Sequence, residues 1–323
     1  MRIVFADDSA PIRKSLNKLL KNKHEIFEAA DGLEAIEVCL KEKPDILITD
    51  IRMPKFNGFE VIERLKDEVD LRHTRFILVS VINNMTEKLK GYEIGAHEFM
   101  TKPFDMNELN AKIEVYSKLR KSEEIEEAFD YTISALARAS QASDGETGAH
   151  IARVNEYSFL IARLLKMDDE YCKDIKRFAQ MHDIGKVNVH PDILQKKGRL
   201  SEEEFHAIQA HPGYGAMIIG SHFSLNMAKE IALSHHEKWD GSGYPNGLKK
   251  DDIPLSGRIV ALADVYDALR SERAYKPSFS HETTIDIIIN GDDRIHPEKS
   301  FDPKLLNLFK ENHNTFEDIY EKL

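Results

Sequence analysis

Two groups of residues in this chain have the types and spacing that chemistry requires. The first is Asp7, Asp8, Asp50, Ser80 and Lys102. Three carboxylates brought together repel one another, and a hard divalent cation such as Mg2+ relieves that repulsion with oxygen ligands. Asp50 is then a nucleophile for a phosphoryl group, while Lys102 and the Ser80 hydroxyl stabilise the transferring oxygens. The second group is Glu146, His150, His182, Asp183, His211, His235, His236 and Asp264. Imidazoles and carboxylates without a thiolate suit iron, manganese or zinc better than calcium or magnesium. Eight candidate ligands exceed the need of one ion and fit two or three, with an Asp bridging and water activated for attack. Taken singly, an Asp at a strand end is an ordinary turn former, and a lone histidine such as His206, His222 or His313 is a surface residue.

Positioning the first group takes a sheet. Short apolar runs at Ile3–Ala6, Glu25–Glu28, Ile46–Asp50, Phe76–Ser80 and Glu98–Thr101 alternate with helical periods at Ala10–Lys21, Leu33–Lys43, Phe59–Val69 and Thr86–Ile94. The central runs are apolar without alternation, as in parallel strands buried on both faces. The expected architecture is therefore an α/β doubly wound, five-stranded parallel sheet over residues 1–120. Its ligands belong outside the carboxyl ends of the strands, where Asp7, Asp8, Asp50, Ser80 and Lys102 fall. From Met106 to Ala142 there is neither Gly nor Pro. That predicts one long helix, or two in near-continuous register, with residues 121–142 as a helical connector able to transmit a rotation. Residues 143–323 show few strand signals and many amphipathic stretches, so an all-α domain is expected there. Glu146 and His150 are four apart and share a helix face.

Composition narrows the function. The chain has 323 residues, 41% hydrophobic and 31% charged, with a net charge of −11. Residues 121–323 carry −10 of that charge and eleven of the 14 histidines. An acidic chain repels a phosphate backbone, so direct binding of a nucleic-acid polymer is not expected. The longest apolar stretch, Phe76–Ile82, is far below the ~18 residues of a membrane span. Two distant cysteines, Cys39 and Cys172, and the absence of a visible signal peptide point to the cytoplasm.

The first 120 residues resemble the response-regulator receiver domain through Asp7-Asp8, Asp50-Ile51-Arg52-Met53-Pro54, Gly58, Ser80, Gly95-Ala96 and Lys102-Pro103-Phe104. The resemblance implies a phosphoacceptor at Asp50, Mg2+ as cofactor, a cognate sensor histidine kinase as partner, and Phe99 at the family's switch-aromatic position. On phosphorylation Ser80 is expected to move and Phe99 to turn inward.

Residues from about Asp144 to Pro303 resemble the HD-GYP family of metal-dependent phosphodiesterases. The match runs through Glu146-Thr147-Gly148, His150, Arg153, HDIGK at 182–186, His211-Pro212, the segment HHEKWDGSGYP at 235–245, Asp264, Asp267-Ala268-Leu269, Ser271, Arg273 and Tyr275-Lys276. It implies metal ligands at Glu146, His150, His182, Asp183, His211, His235, His236 and Asp264, with Asp183 bridging two or three divalent ions, iron or manganese first. It implies catalytic roles for Asp183 and Lys186, and substrate contacts from Lys186, Tyr244, Arg273 and Lys276. Where the family often reads Gly-Ile-Pro-Asp after HDIGK-Val, this chain has Asn188-Val189-His190-Pro191-Asp192. The expected function is a homodimeric two-component enzyme in which phosphorylation of Asp50 regulates hydrolysis of cyclic di-GMP to pGpG or GMP. The alternatives are a non-catalytic dinucleotide-binding or protein-interaction output, and a hydrolase of another cyclic dinucleotide such as cyclic GMP-AMP.

Overall fold

Strands β1 (Arg2–Ala6), β2 (Glu25–Ala29), β3 (Ile46–Asp50), β4 (Arg75–Ser80) and β5 (Glu98–Thr101) pair in parallel in the order β2-β1-β3-β4-β5. The computed structural model describes residues 1–81, 84–141, 148–271 and 278–323. The chain divides into two units, Met1–Glu127 and Ala128–Leu323. Side chains alternate across the pleat of the sheet. Ile3, Phe5, Ile48, Ile77 and Val79 therefore pack on one face with Leu16 and Leu20 of α1 (Ala10–Leu20). Val4, Ala6, Leu47 and Leu78 pack on the other with residues of α2 (Gly32–Glu42) and α3 (Gly58–Leu65). Asp31 caps α2, and Asn57 with Glu60 forms a capping box on α3, so both helices start where a side-chain oxygen meets free backbone N–H groups. The periodicity carries α3 to Val69, but the helix ends at Leu65. A 3-10 turn at Val69–Leu71 follows and buries Leu71, a tertiary demand that overrides local helix propensity. Helix α4 covers Met85–Ile94 and ends on Gly95 in the left-handed region.

Helix α5 runs unbroken from Met106 to Gln141. Its Leu109 and Ile113 are buried against the first face of the sheet, and Arg75 and His73 of the same unit pair with Glu123. Near its other end Ile133 belongs to the core of the second unit.

The described residues after α5 contain no strand. Their helices are α6 (Gly148–Leu164), α7 (Asp169–Phe178), α8 (Pro191–Leu194), α9 (Glu202–Gln209), α10 (His211–Ile219), α11 (Asn226–Ser234), α12 (Leu255–Arg270), α13 (His281–Asn290), α14 (Pro297–Ser300) and α15 (Pro303–Lys322). Val154, Ile175, Ile231, Ile259 and Leu262 meet in one core. Tyr157 stacks on Phe316 at 5.3 Å and meets Tyr266 edge-on at 5.1 Å. These aromatic contacts pin α6, α12 and α15 together, and α6 and α12 carry two of the candidate ligands, His150 and Asp264. Among the described residues no helix is long and apolar enough to cross a membrane.

Candidate functional site

In the first unit, parallel strand ends bring the acidic group together. Asp7 follows β1 and Asp50 ends β3. Oxygens of Asp7, Asp8 and Asp50 all lie within 4.8 Å of one another. Lys102 follows β5 and reaches both buried carboxylates, 2.6 Å from Asp7 Oδ2 and 3.0 Å from Asp50 Oδ1. Burial pushes the Asp50 carboxyl up, with Asp7 and Asp8 adding to the push and Lys102 opposing it. Burial works against the Lys102 charge, but hydrogen bonds to Asp7 and Asp50 raise its pKa. Ser80, at the end of β4, donates its hydroxyl to Glu87 Oε2 at 3.1 Å. Phe99 lies on β5. It is 7% exposed and lies in the core with Leu78 and Phe59, beneath the Lys88 ammonium 5.6 Å from its ring.

In the second unit, residues far apart in sequence converge. Ligand atoms of Asp183, His211, His235 and His236 lie within 4.8 Å of one another, and so do those of His150, His182 and Asp264. Asp183 serves both sets. Its Oδ1 is 3.1 Å from His211 Nε2 and 3.5 Å from His235 Nε2, while its Oδ2 is 3.2 Å from His182 Nε2. Lys186 Nζ approaches the same Oδ2 at 2.7 Å. The run His182-Asp183-Ile184-Gly185-Lys186 holds this arrangement because it follows one 3-10 turn, Ala179–Met181, and enters a second, Ile184–Asn188, instead of continuing an α-helix. Gly185 is required there: a Cβ would fall 1.9 Å from the His211 carbonyl oxygen. Its absence lets the turn press against α10 and bring Asp183 to His211.

The histidines are oriented by their other ring nitrogen. Nδ1 of His182 meets the Ala179 carbonyl at 2.8 Å, that of His211 meets Ile208 at 2.7 Å, and that of His235 meets Ile231 at 3.0 Å. His150 Nδ1 instead meets Asp267 Oδ2 at 2.7 Å. Such contacts fix the tautomer and turn the Nε2 lone pair toward a shared centre, as metal sites require. His182 Nε2 and Asp183 Oδ1 are buried without a hydrogen-bond partner among the described residues. Buried polar atoms left so are costly unless a ligand takes them. This donor set fits divalent transition metals, held by His150, His182, Asp183, His211, His235, His236 and Asp264. Burial opposes a charge on His182, but Asp183 beside it lifts its pKa to about 9. Burial would also raise Asp183, yet Lys186 and His182 hold it well below the usual carboxylate range. Burial, reinforced by neighbouring imidazoles, pushes His236 well down. The cluster is built to receive positive charge at Asp183.

Tyr244 stacks on His236 with ring centroids 4.7 Å apart and 24° between planes. The loop that carries it folds back tightly: a Cβ on Gly243 would lie 2.4 Å from the Lys238 nitrogen. Glu237, buried just after the two histidines, accepts from the backbone N–H of Asn246 at 2.8 Å and of Leu248 at 3.1 Å. The predicted ligand Glu146 and the predicted substrate contacts Arg273 and Lys276 lie outside the described residues. His190, where the sequence departs from the family pattern, is exposed and caps α8 through its ring nitrogen. Sequence reasoning assigned no role to Arg153, Asp267, Ser271 or Glu237. The available signal was the spacing of Asp264 and Asp267, three apart and hence on one face of α12.

Comparison with known proteins agrees with this geometry. The family model for the HD domain matches residues 132–304, and that for the response regulator receiver domain matches residues 3–114. A probable cyclic di-GMP phosphodiesterase of Vibrio cholerae is 34% identical over 99% of this chain and 79% of its own length. The cyclic di-GMP phosphodiesterase response regulator RpfG of Xanthomonas campestris is 30% identical over 99% of this chain and 89% of its own. A 3'3'-cGAMP-specific phosphodiesterase 2 of Vibrio cholerae is 42% identical over 56% of this chain and 34% of its own.

Proposed function

The chain belongs to the HD-domain family, with a response regulator receiver domain preceding the HD domain, and from that premise we propose that it hydrolyses cyclic di-GMP under control of phosphorylation at Asp50. The observation that carries the hydrolase reading is Asp183, whose two oxygens address two adjacent sets of buried imidazoles. A carboxylate so placed suits a bridge between two cations. Divalent transition ions held there, iron or manganese for this donor set, would polarise a phosphodiester and lower the pKa of water. The protein's own groups supply the rest. Lys186, at 2.7 Å from Asp183, offers a cation to a phosphate oxygen at the edge of the cluster. Tyr244, stacked on His236, walls one side and presents a ring to a base. Arg273 and Lys276 supply the further charge that a substrate with two phosphodiesters calls for. All seven candidate ligands among the described residues sit in the two clusters, which favours catalysis over a dinucleotide-binding or protein-interaction output. Hydrolysis to pGpG or GMP by metal-loaded protein, lost in Asp183→Ala, tests this reading. No turnover of cyclic di-GMP by protein with full metal content would overturn it. Cyclic GMP-AMP is the second substrate to assay, because a relative 42% identical over the matched region is named for it; a specificity ratio decides between the two.

Control by the receiver rests on the acidic site at Asp7, Asp8 and Asp50, which suits Mg2+. A cognate sensor histidine kinase would supply the phosphoryl group, and a cytoplasmic homodimer is the form in which we expect the protein to act. Beryllofluoride with Mg2+ should change the hydrolysis rate in wild type and leave Asp50→Ala unaffected. An equal rate with and without the mimic in wild type would remove phosphorylation from the mechanism.

A further inference from the structure

We infer that Asp267 is a positioning residue that orients His150 toward the metal centre, acting through a buried hydrogen-bond unit with Arg153 and Ser271. The inference rests on the metal-binding reading above and deepens it.

The other anchored histidines are held by backbone carbonyls three or four residues earlier, Ala179, Ile208 and Ile231. Their orientation follows from local chain geometry. His150, on α6, is held differently. Its Nδ1 is met at 2.7 Å by a side chain 117 residues away. Asp267 is fully buried, at 0% exposure. Both its oxygens are engaged: Oδ1 accepts from Arg153 Nε at 2.5 Å, and Oδ2 accepts from Arg153 Nη2 at 2.9 Å and Ser271 Oγ at 3.0 Å besides its contact with His150. Arg153 Nη2 also donates to Ser271 Oγ at 2.9 Å.

This geometry has a clear logic. Arg153 is three residues after His150, so both sit on one face of α6 and meet the same carboxylate. Asp264 and Asp267 are likewise three apart on α12, one beside the His150 Nε2 at 3.7 Å and one behind its Nδ1. One helix thus presents a ligand and the other ligand's support. The bidentate guanidinium keeps Asp267 anionic in a dry environment. An anionic partner at Nδ1 holds the proton there and makes Nε2 a stronger donor to a cation.

The test uses the full chain stripped of metal with a chelator and then titrated with Co2+. Retained ions are counted after gel filtration, and folding is followed by far-UV circular dichroism. Asp267→Asn keeps the shape and removes the charge. The double variant Arg153→Gln with Asp267→Asn removes both charges, so that no buried guanidinium is left alone. Wild type should retain two ions. In either variant one binding step should weaken about ten- to a hundredfold. The other step, owed to Asp183, His211, His235 and His236, should stay at its wild-type affinity. Two unchanged steps would overturn the inference. Equal weakening of both, or unfolding of both variants, would assign the unit to the fold alone and overturn it as well. Failure of wild type to retain any Co2+ would instead sink the metal reading on which the inference rests.

Discussion

The acidic site of the first unit and the imidazole site of the second solve one problem, holding positive charge among buried donors, by different means. At the strand ends, hard oxygens cluster around a resident cation, the Lys102 ammonium 2.6 Å from Asp7 and 3.0 Å from Asp50. The repulsion is partly relieved before any ion arrives, which suits a labile ion and a phosphoryl group that come and go. Among the helices, the donors are mostly imidazoles, three of them with Nδ1 tied to backbone carbonyls, and a single central carboxylate reaches both sets. Softer nitrogen donors, deeper burial and fixed tautomers favour a retained transition ion. On the function proposed above, the contrast is between a site that suits exchange and one that suits retention.

The largest break in that contrast should come from Asp183→Ala. Hydrolysis should fall by more than about a hundredfold, since supporting residues alone cost ten- to a hundredfold in metal sites. Mg2+-dependent beryllofluoride binding at Asp50 should persist; its loss would show that the variant had damaged the whole protein. Next, Arg273→Ala should weaken cyclic di-GMP binding about ten- to a hundredfold, the equivalent of roughly 1.5–3 kcal/mol for a charged hydrogen bond. Metal content should stay unchanged, and normal binding by this variant would show that Arg273 does not touch the phosphate.

Lys102→Met sharpens the other side. Without Mg2+ the first unit should lose about 1–3 kcal/mol in urea unfolding, because two buried carboxylates lose their shared partner. Added Mg2+ should restore most of it. The sign with pH follows from Asp50, whose pKa burial already raises. A carboxyl raised in the folded state contributes stability at low pH and loses it as pH rises through that value. The deficit should therefore shrink on acidification, and a deficit that grew would contradict the repulsion account. The smallest effect is expected from Glu237→Gln, which leaves one acceptor for the two backbone donors at Asn246 and Leu248. A loss of about 1 kcal/mol in loop order corresponds to roughly a fivefold rise in KM. An equal fall in kcat would mean that Glu237 acts on the metal cluster instead.

The acidic site was legible almost residue by residue. In a parallel sheet, a run of apolar residues ending in Asp or Lys states where that side chain emerges, so Asp7, Asp50 and Lys102 could be placed together from strand ends alone. The burial of Phe99 was less legible, because the packing of a ring depends on space between layers that no local pattern records. The histidine set was legible as a set, through motif order, but not as two groups with one shared carboxylate. The roles of Asp267, Arg153 and Glu237 were hidden, since charged residues in helical sequence read as surface until a fold buries them.

By itself the sequence determined the element types, the parallel order of apolar runs, the two kinds of donor and the absence of thiolate ligands. These follow from side-chain chemistry and from periods of two and 3.6 residues, both local properties of the chain. Only the tertiary structure decided which oxygen of Asp183 faces which imidazole, that Gly185 must lack a side chain for the HDIGK turn to reach α10, and that His150 is aimed by a carboxylate 117 residues away. Those are distances between segments remote in sequence, set by how the helices close around Tyr157, Tyr266 and Phe316. Close packing of such a core leaves each helix little freedom to rotate, and that restriction turns a list of ligands into a site.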